Sequence, residues 1–246
     1  METKKIKKIL LFHGWNWKNY TKFCPKGTNP WHDREVFIKT LKQNGFDLVT
    51  PAFPGFCGEK EPLDSWFLSD FEKMIETYFQ TEKPDAIIGY SFGGAAVLSW
   101  AEKYKHPVPI VLISPAITRK YSVKNPNLMV KFSKLLPTGI TSFLRNVYLT
   151  MYVKNPFHIH GTKFLRETYR NIIAIDLVEK LKKMDPKNIL LIYGSIDTAT
   201  PPDLIKQKLS NSNFLDSIFV IDGASHDLVN SHHELVLKKI SSFLKT

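Results

Sequence analysis

Short apolar segments alternate with longer segments of helical pattern along most of the chain. This alternation predicts parallel strands that are joined by crossover helices. Several of the apolar segments contain no polar residue, as expected for strands that helices cover on both faces. The predicted strands are residues 7–12, 47–52, 85–90, 109–114, 188–193 and 217–222. The sequence therefore predicts an α/β fold with a mostly parallel sheet and flanking helices.

One connection between predicted strands is much longer than a single crossover helix. It runs over residues 117–187, a length of 71 residues, and its apolar spacing is helical. A structureless loop of that length is improbable inside a compact domain. We therefore expect residues 117–187 to form a helical cap, inserted into a core made of residues 1–116 and 188–246.

Length and composition place the chain among ordinary globular proteins. It has 246 residues, of which 43% are hydrophobic and 23% charged, enough for one domain with an insertion. No apolar run reaches the roughly 18 residues that span a membrane, and the apolar stretch before His13 is too short for a signal peptide. Two cysteines, Cys24 and Cys57, indicate a reducing compartment and not a disulfide framework. Together these features predict a cytoplasmic location.

A serine lies at the junction of the third predicted strand and the helix after it. Residues 89–93 read GYSFG, the G-x-S-x-G pattern of a sharp strand-to-helix turn that projects the serine oxygen above the sheet. Gly89 and Gly93 relieve crowding there, because bulkier side chains would collide with the neighbouring strand or helix. Ser91 is therefore the candidate nucleophile, and a plain glycine-rich turn is the alternative.

A serine nucleophile needs a histidine base, which a carboxylate in turn orients. In this architecture the partners follow the serine in the order Asp, His. Asp197 comes just after the fifth predicted strand and His226 just after the sixth. Both loops open at the sheet edge that also carries Ser91, where α/β proteins gather their ligands. The sequence predicts the catalytic triad Ser91, Asp197 and His226.

Other acidic and histidine residues near these loops have simpler explanations. Acidic residues at helix starts complement the helix dipole, and histidines within the last helix are expected to face solvent. The His-Ile-His segment could indicate a metal pair, but no acidic or cysteine ligand accompanies it. The competitors are Asp203, Asp222, Asp227, His232 and His233, with His158 and His160 in the His-Ile-His segment.

Acyl transfer also requires hydrogen-bond donors for the oxyanion that forms at the carbonyl. The backbone N–H of the residue after the nucleophile, Phe92, supplies one donor. The other is expected from the loop after the first strand, where a His-Gly turn precedes Trp15. The side chains of Trp15 and Phe92 would then line the acyl pocket.

The motifs together resemble the α/β-hydrolase superfamily, and the resemblance covers nearly the whole chain. The His-Gly-Trp and Pro-Gly-Phe segments are similar to those of small carboxylesterases, including methyl ester esterases that act on pimeloyl carrier protein. The resemblance implies hydrolysis of a carboxylic ester through an acyl-enzyme, without a metal or organic cofactor. The segments that carry it are LLFHGW (10–15), PAFPGF (51–56), GYSFGG (89–94), YGSIDTATP (193–201) and GASHD (223–227).

The chain departs from these relatives in two places. Residues 16–31 form a longer and more aromatic segment than a minimal loop, and Cys57 stands where relatives often carry another small residue. These differences affect which substrate shape the site accepts, and not the type of reaction. The serine at position 91 argues against the dehalogenase branch, which uses aspartate there.

Nearly all of the positive charge lies in the predicted cap. Residues 117–187 contain 14 Lys and Arg against 4 Asp and Glu, a net +10, and the whole chain carries +11. One explanation is a lysine-rich solvated surface. The other is a docking surface for an acidic partner, such as an acyl carrier protein, an anionic membrane or an anionic substrate. No recognised nucleic-acid-binding motif accompanies the charge, so we expect no nucleic-acid partner.

Several functions remain compatible with a serine triad on this scaffold. A serine esterase, acting on a small-molecule or carrier-bound ester, is the leading hypothesis. The same triad could serve a lipase, an aminopeptidase or a C–C bond hydrolase, and a non-catalytic receptor for a small ligand is a further alternative. Aminopeptidases of this fold need acidic residues that hold the substrate amine, and the cap offers few of them.

Overall fold

The computed structural model describes residues 7–118 and 155–244. Among these, six strands form one sheet in the order β2-β1-β3-β4-β5-β6, and every neighbouring pair is parallel. The predicted α/β fold with a parallel sheet is therefore confirmed. The strands are β1 (Lys8–Phe12), β2 (Asp47–Val49), β3 (Ala86–Tyr90), β4 (Ile110–Ile113), β5 (Ile189–Gly194) and β6 (Ile218–Ile221).

Helices connect the strands and cover both faces of the sheet. One face packs against α2, α3 and the cap helices, whereas the other packs against α1 and α9. Residues of β3, β4 and β5 are buried throughout, which explains their uninterrupted apolar sequence. The helices, numbered over the described residues, are α1 (Glu35–Gln43), α2 (Leu68–Glu82), α3 (Phe92–Tyr104), α4 (Pro156–His160), α5 (Lys163–Ile172), α6 (Val178–Leu181), α7 (Pro202–Lys208), α8 (Leu228–Ser231) and α9 (His233–Phe243).

The strand order places a topological switch at β1. The chain passes from β1 to β2 on one side and then returns to pair β3 with the other side of β1. The loops after β1 and β3 consequently diverge at their carboxyl ends and leave a crevice between them. Ligands of open α/β sheets bind at such a crevice. The predicted nucleophile, at the end of β3, lies at this point.

The cap is described only in part. Residues 119–154 lie outside the described part of the chain, whereas residues 155–187 contain the short helices α4, α5 and α6. Phe164 and Leu165 of α5 are buried in the same apolar cluster as α2 and α3. The domain boundaries at 117 and 187 stay a prediction. In the described residues, no helix combines the length and the apolar character required to cross a membrane.

Two loops at the carboxyl edge of the sheet are joined by a disulfide between Cys24 and Cys57. Backbone bonds flank it, since Cys57 N–H donates to the Asn19 carbonyl at 2.8 Å and Thr21 N–H donates to the Gly55 carbonyl at 2.9 Å. The expectation of two unpaired cysteines was wrong. Two cysteines are enough for one isolated disulfide. Their number could not reveal it, because the fold alone brings the loops after β1 and β2 together.

The disulfide predicts a measurable loss of stability on reduction. The bond spans 33 residues of sequence, and closing a loop of that size in the unfolded chain contributes about 3–4 kcal/mol to the free energy of unfolding. We expect dithiothreitol to lower that free energy by about this amount in urea titrations. A Cys24→Ser/Cys57→Ser variant is the control, because the reductant should then have no effect. Equal stability of wild type with and without reductant would show that the bond does not form.

Candidate active site

Ser91 occupies a sharp turn between β3 and α3. Its backbone lies at φ 52° and ψ −114°, a strained conformation for a residue with a side chain. The flanking glycines permit this turn: a Cβ on Gly89 would lie 2.7 Å from the Gly93 carbonyl oxygen, and one on Gly93 would collide with the Phe12 carbonyl. The side chain therefore projects from the carboxyl edge of the sheet, as the G-x-S-x-G pattern implies.

The structure brings the three predicted triad residues together from three separate loops. His226 Nε2 lies 3.0 Å from Ser91 Oγ, and His226 Nδ1 lies 2.8 Å from Asp197 Oδ2. Asp197 is fully buried, whereas the His226 side chain remains 29% exposed. A hydroxyl, an imidazole and a carboxylate thus form one continuous hydrogen-bonded chain with its serine end open to the cleft. This order of groups permits proton transfer from the serine to the imidazole.

Asp197 is held as a carboxylate by its surroundings. Its Oδ1 accepts hydrogen bonds from the backbone N–H of Ala199 and Thr200, both at 2.9 Å, and its Oδ2 accepts one from the Thr200 hydroxyl at 2.7 Å. Burial alone would raise the pKa of Asp197, but the bonds to His226 and Thr200 and the His226 charge lower it to about 2. The group is therefore ionised at neutral pH.

Thr200 is a site residue that sequence reasoning missed. Its buried hydroxyl donates to Asp197 and also lies 3.3 Å from the Ser114 carbonyl and 3.4 Å from His226 Nδ1. It thereby fixes the carboxylate between the ends of β4 and β5. The signal in the sequence is an Asp with a hydroxyl residue three positions later, a pattern typical of local side-chain-to-backbone turns.

The loop after β1 passes directly against the serine. A Cβ placed on Gly14 would come within 3.0 Å of the Ser91 Cβ. Phe92 is the first residue of α3, where backbone N–H groups have no partner within the helix. The rings of Trp15 and Phe92 pack edge to face with centroids 5.5 Å apart. The two predicted oxyanion residues therefore lie side by side next to Ser91.

His13 links the loops after β1 and β2. Its Nδ1 lies 2.8 Å from the Gly14 carbonyl, and its Nε2 accepts a hydrogen bond from Phe53 N–H at 3.0 Å. These partners require the neutral imidazole with the proton on Nδ1. Burial lowers the pKa of His13 to about 4. The His-Gly pair of the sequence thus uses its histidine to hold the Gly14–Trp15 turn in place.

The low pKa of His13 predicts an acid-sensitive fold. An unfolded histidine takes up a proton near its ordinary pKa of 6.5, whereas the folded protein resists protonation until about pH 4. Stability from this residue is therefore complete above pH 6.5 and falls by about 3 kcal/mol as the pH drops toward 4. We expect His13→Gln to reduce the pH dependence of urea unfolding over this range. The same substitution at the partly exposed His232 is the control; equal pH dependence in wild type and His13→Gln would contradict the assignment.

An aromatic cluster lies on one side of Ser91. Its rings meet at edge-to-face and tilted angles with centroids about 5–6 Å apart, the geometry that aromatic pairs prefer. Trp15 Nε1 donates to the Tyr20 hydroxyl at 2.8 Å, which fixes the orientation of the indole. The cluster comprises Trp15, Phe53, Phe56, Phe71, Phe92 and Tyr169.

A cleft of about 330 Å³ opens beside Ser91, His226 and Trp15. Charged side chains also line it, namely Lys18, Asp33, Arg34 and Asp227. A larger groove of about 750 Å³ lies along α1, and its lining, which shares Trp31 with the cleft, contains neither Ser91 nor His226. We assign the chemistry to the smaller cleft, because it contains the serine and the histidine.

The competing residues have other partners. Asp203 lies exposed in the first turn of α7, Asp222 accepts a hydrogen bond from Ser195 at 3.1 Å, and Asp227 pairs with Arg34 at 3.0 Å. His232 Nδ1 lies 2.8 Å from the Ser231 hydroxyl, and His233 Nδ1 lies 3.3 Å from the Asn230 carbonyl. None of these side chains contacts Ser91 in the described structure. In the His-Ile-His segment, the His160 ring stacks on Trp17 with centroids 4.7 Å apart, and His158 is buried.

Within residues 7–118 and 155–244, one group of three side chains has ligand atoms close enough to share a metal ion. It consists of Cys24, His32 and Cys57. Both sulfurs belong to the disulfide, however, and a metal ligand must be a thiolate. The described residues around Ser91 form no comparable group.

Comparison with known proteins agrees with this architecture. Residues 7–158, more than half of the chain, match the family described as alpha/beta hydrolase fold. The chain belongs to the α/β-hydrolase fold family. The resemblance drawn from the sequence motifs is thereby confirmed at the level of the family. The search of curated proteins finds no match.

Solved structures of other α/β-hydrolases superpose over almost the whole chain. An esterase from Exiguobacterium antarcticum has a TM-score of 0.65 at 14% identity, covering 98% of this chain and 92% of its own. A bromoperoxidase from Bacillus anthracis has a TM-score of 0.65 at 19% identity, covering 98% and 92%. A meta-cleavage product hydrolase from Pseudomonas fluorescens has a TM-score of 0.63 at 16% identity, covering 97% and 90%. At such identities the likeness shows the fold alone.

Proposed function

We propose that this α/β-hydrolase is a serine esterase that cleaves carboxylic esters through an acyl-enzyme. The observation that supports this most directly is the hydrogen-bonded chain Ser91–His226–Asp197, with distances of 3.0 and 2.8 Å. It lies at the topological switch of the sheet, with a strained serine pointing into a cleft. A buried carboxylate, a partly exposed imidazole and an accessible hydroxyl are the components that nucleophilic acyl transfer requires.

Each residue has a defined role in the proposed reaction. Ser91 Oγ attacks the ester carbonyl while His226 Nε2 accepts its proton, and Asp197 stabilises the resulting imidazolium. The backbone N–H groups of Trp15 and Phe92 stabilise the oxyanion of the tetrahedral intermediate. His226 then protonates the departing alcohol, and a C–O bond breaks to leave the acyl-enzyme. In the second half, His226 deprotonates a water molecule that attacks the acyl carbon and releases Ser91.

The substrate's acyl group is expected to bind beside Trp15, the exposed edge of the aromatic cluster defined above. Trp15 is the ring of the cluster that also lines the cleft, and it packs edge to face on Phe92, so we expect the apolar part of a substrate bound at Ser91 to contact Trp15. Because burial of apolar surface drives such binding, a hydrocarbon acyl group fits better than a charged one. A panel of p-nitrophenyl esters from acetate to palmitate tests this. Preference for chains of two to six carbons supports a carboxylesterase, whereas preference for the longest chains indicates a lipase.

A fluorophosphonate probe separates an enzyme from a receptor. Such probes phosphonylate only activated serines, so wild-type protein should be labelled and Ser91→Ala should not. Ser99 is a matched control, because its hydroxyl is buried and bonded to Glu72 and Lys180; Ser99→Ala should label normally. Absence of labelling in the folded wild type would overturn the esterase proposal and favour a non-catalytic receptor.

The aminopeptidase alternative finds little support in the cleft. An enzyme that holds a substrate amine needs a free carboxylate near the serine. The two acidic residues in the cleft, Asp33 and Asp227, both pair with Arg34, at 2.6 and 3.0 Å. Their negative charge is thereby partly neutralised, and we rank an ester substrate above a peptide.

We further propose that the basic cap docks an acidic partner, such as the carrier of a carrier-bound ester. Lys163 is exposed and Arg166 partly exposed on α5, which packs on the same sheet face as α2 and α3. Clustered positive charge raises encounter rates with an anionic partner. Arg145, a further basic residue of the predicted cap, lies outside the described residues.

Charge reversal tests the docking proposal. Lys163→Glu/Arg166→Glu should lower kcat/KM for an acidic-carrier-bound ester by about tenfold at low salt, and leave a small neutral ester unaffected. The matched control is Lys42→Glu/Lys238→Glu, which reverses two exposed lysines on the opposite face of the sheet. Equal rates of the α5 variant and wild type on the carrier substrate would refute docking at this surface.

The cytoplasmic location stays a prediction. Its argument from unpaired cysteines no longer holds, because Cys24 and Cys57 are bonded to each other. Alkylation of the protein in intact cells, followed by mass spectrometry, checks both points. A reduced pair in the cytosolic fraction supports the prediction, and an oxidised pair in a membrane-enclosed or external fraction contradicts it.

A further inference from the structure

A buried arginine lies close to the catalytic residues without being part of the triad. The Arg34 side chain is only 11% exposed, and its Nη1 and Nη2 contact Asp33 Oδ1 at 2.6 Å and Asp227 Oδ1 at 3.0 Å. Its guanidinium carbon lies 4.6 Å above the centre of the Tyr90 ring. We call Asp33, Arg34, Tyr90 and Asp227 the Arg34 cluster. Ion pairs of this kind add little net stability, because desolvation offsets their attraction.

The Arg34 cluster contacts both partners of the proton-transfer step. Tyr90 immediately precedes Ser91, and its hydroxyl donates to the His226 carbonyl at 3.2 Å. Asp227, the residue after His226, is held by Arg34 from the other side. The cluster therefore connects the end of β3, which carries the nucleophile, to the loop that carries the base.

A second polar residue strengthens the same connection. Asn230 Nδ2 lies 3.1 Å from the Asp33 carbonyl and 2.8 Å from Asp227 Oδ2. The segment after His226 thus contacts the 3-10 turn His32–Arg34 twice, through the Asp227–Arg34 ion pair and the Asn230–Asp33 hydrogen bond. His226 lies two residues before α8, which carries Asn230, so these contacts restrain the His226 backbone relative to Ser91.

We propose that Arg34 is a positioning residue for His226. This inference rests on the proposed esterase function. The planar guanidinium contacts a carboxylate with each of its terminal nitrogens while stacking on Tyr90, and a lysine ammonium cannot reproduce that combination. In doing so it holds the imidazole at the 3.0 Å distance from Ser91 Oγ that proton transfer requires. Arg34 itself touches none of the reacting atoms.

Substitution of Arg34 should reduce the rate of chemistry and not substrate binding. We expect Arg34→Met to lower kcat by about 10–50-fold with KM changed less than about threefold, since displacing a catalytic group by about 1 Å can cost about 100-fold. The rate of fluorophosphonate labelling should fall by the same factor. Arg34→Lys should recover part of the loss, because an ammonium can still pair with one carboxylate.

A series of esters with one acyl group and different alcohols distinguishes two roles for Arg34, namely positioning His226 and contacting the substrate. A positioning residue affects them all equally, because His226 serves every substrate. Glu72→Gln is the control for general destabilisation: Glu72 is a buried acid that accepts from Ser99 at 2.5 Å and Lys103 at 3.0 Å on α3. It should lower the melting temperature with kcat unchanged.

The outcomes distinguish this inference from the proposed function. Labelling of Arg34→Met at the wild-type rate would overturn the role of Arg34 and leave the esterase proposal intact. A loss confined to esters of one class of alcohol would assign Arg34 to substrate binding and also overturn it. If Arg34→Met does not fold, Tyr90→Phe removes only the hydroxyl that bonds to His226. An unchanged kcat in that variant would then refute the proposal, and a loss of about 3–10-fold would support it.

Discussion

Replacing Ser91 with alanine is expected to lower kcat for a short-chain p-nitrophenyl ester by about 10⁶-fold. Among the described residues, no other hydroxyl lies at hydrogen-bond distance from His226 Nε2, so no other side chain can replace Ser91 as the nucleophile that carries the acyl group. KM should change little, because the backbone donors at Trp15 and Phe92 and the aromatic cluster remain. Steady-state kinetics with purified variant protein measure both constants.

The control for this prediction is His226→Ala, which should lose almost as much activity. The two residues act as one unit, so the double variant should be no slower than the single ones. A circular dichroism spectrum equal to that of wild type excludes unfolding as the cause. Activity of Ser91→Ala within about tenfold of wild type would mean that the reaction does not pass through Ser91.

Asp197→Asn should lower kcat by about 10⁴-fold. The carboxylate accepts four hydrogen bonds, from His226, the Thr200 hydroxyl and two backbone N–H groups. An amide at the same place stabilises the wrong imidazole tautomer and cannot balance the positive charge that His226 acquires. The loss should appear in kcat more than in KM, measured with the same ester at pH 7.

Thr200→Val provides a graded comparison at the same site. It removes a single hydrogen bond to Asp197 and keeps the carboxylate charge, so we expect a loss of about tenfold or less. The order of activities should be wild type, Thr200→Val, Asp197→Asn. An Asp197→Asn variant as active as Thr200→Val would show that the carboxylate charge is not needed.

The sheet could be predicted from the sequence because its strands are apolar and buried. All six predicted strands exist, most within one residue of the predicted ends. The edge strand is the exception: it ends at Val49 and not at residue 52, and Pro51 has no N–H for a strand ladder. The G-x-S-x-G turn could also be predicted from the sequence, because the turn requires glycine on both sides of the serine for steric reasons.

Features that depend on contacts between distant segments could not be predicted. The start of the first helix is one of them: the Asn29 side chain accepts a hydrogen bond from Trp31 N–H, and α1 begins only at Glu35, after the 3-10 turn His32–Arg34. That turn brings Arg34 to Tyr90 and Asp227. The Cys24–Cys57 bond similarly depends on the loops after β1 and β2 lying side by side.

Trapping the acyl-enzyme tests the central claim most directly. Protein mixed with excess p-nitrophenyl acetate and quenched with acid within milliseconds should carry one acetyl group, located on Ser91 by peptide mass spectrometry. The Asp197→Asn variant should acquire that group more slowly. Turnover of the ester with no acetyl group on Ser91, or with the group on another residue, would contradict the account.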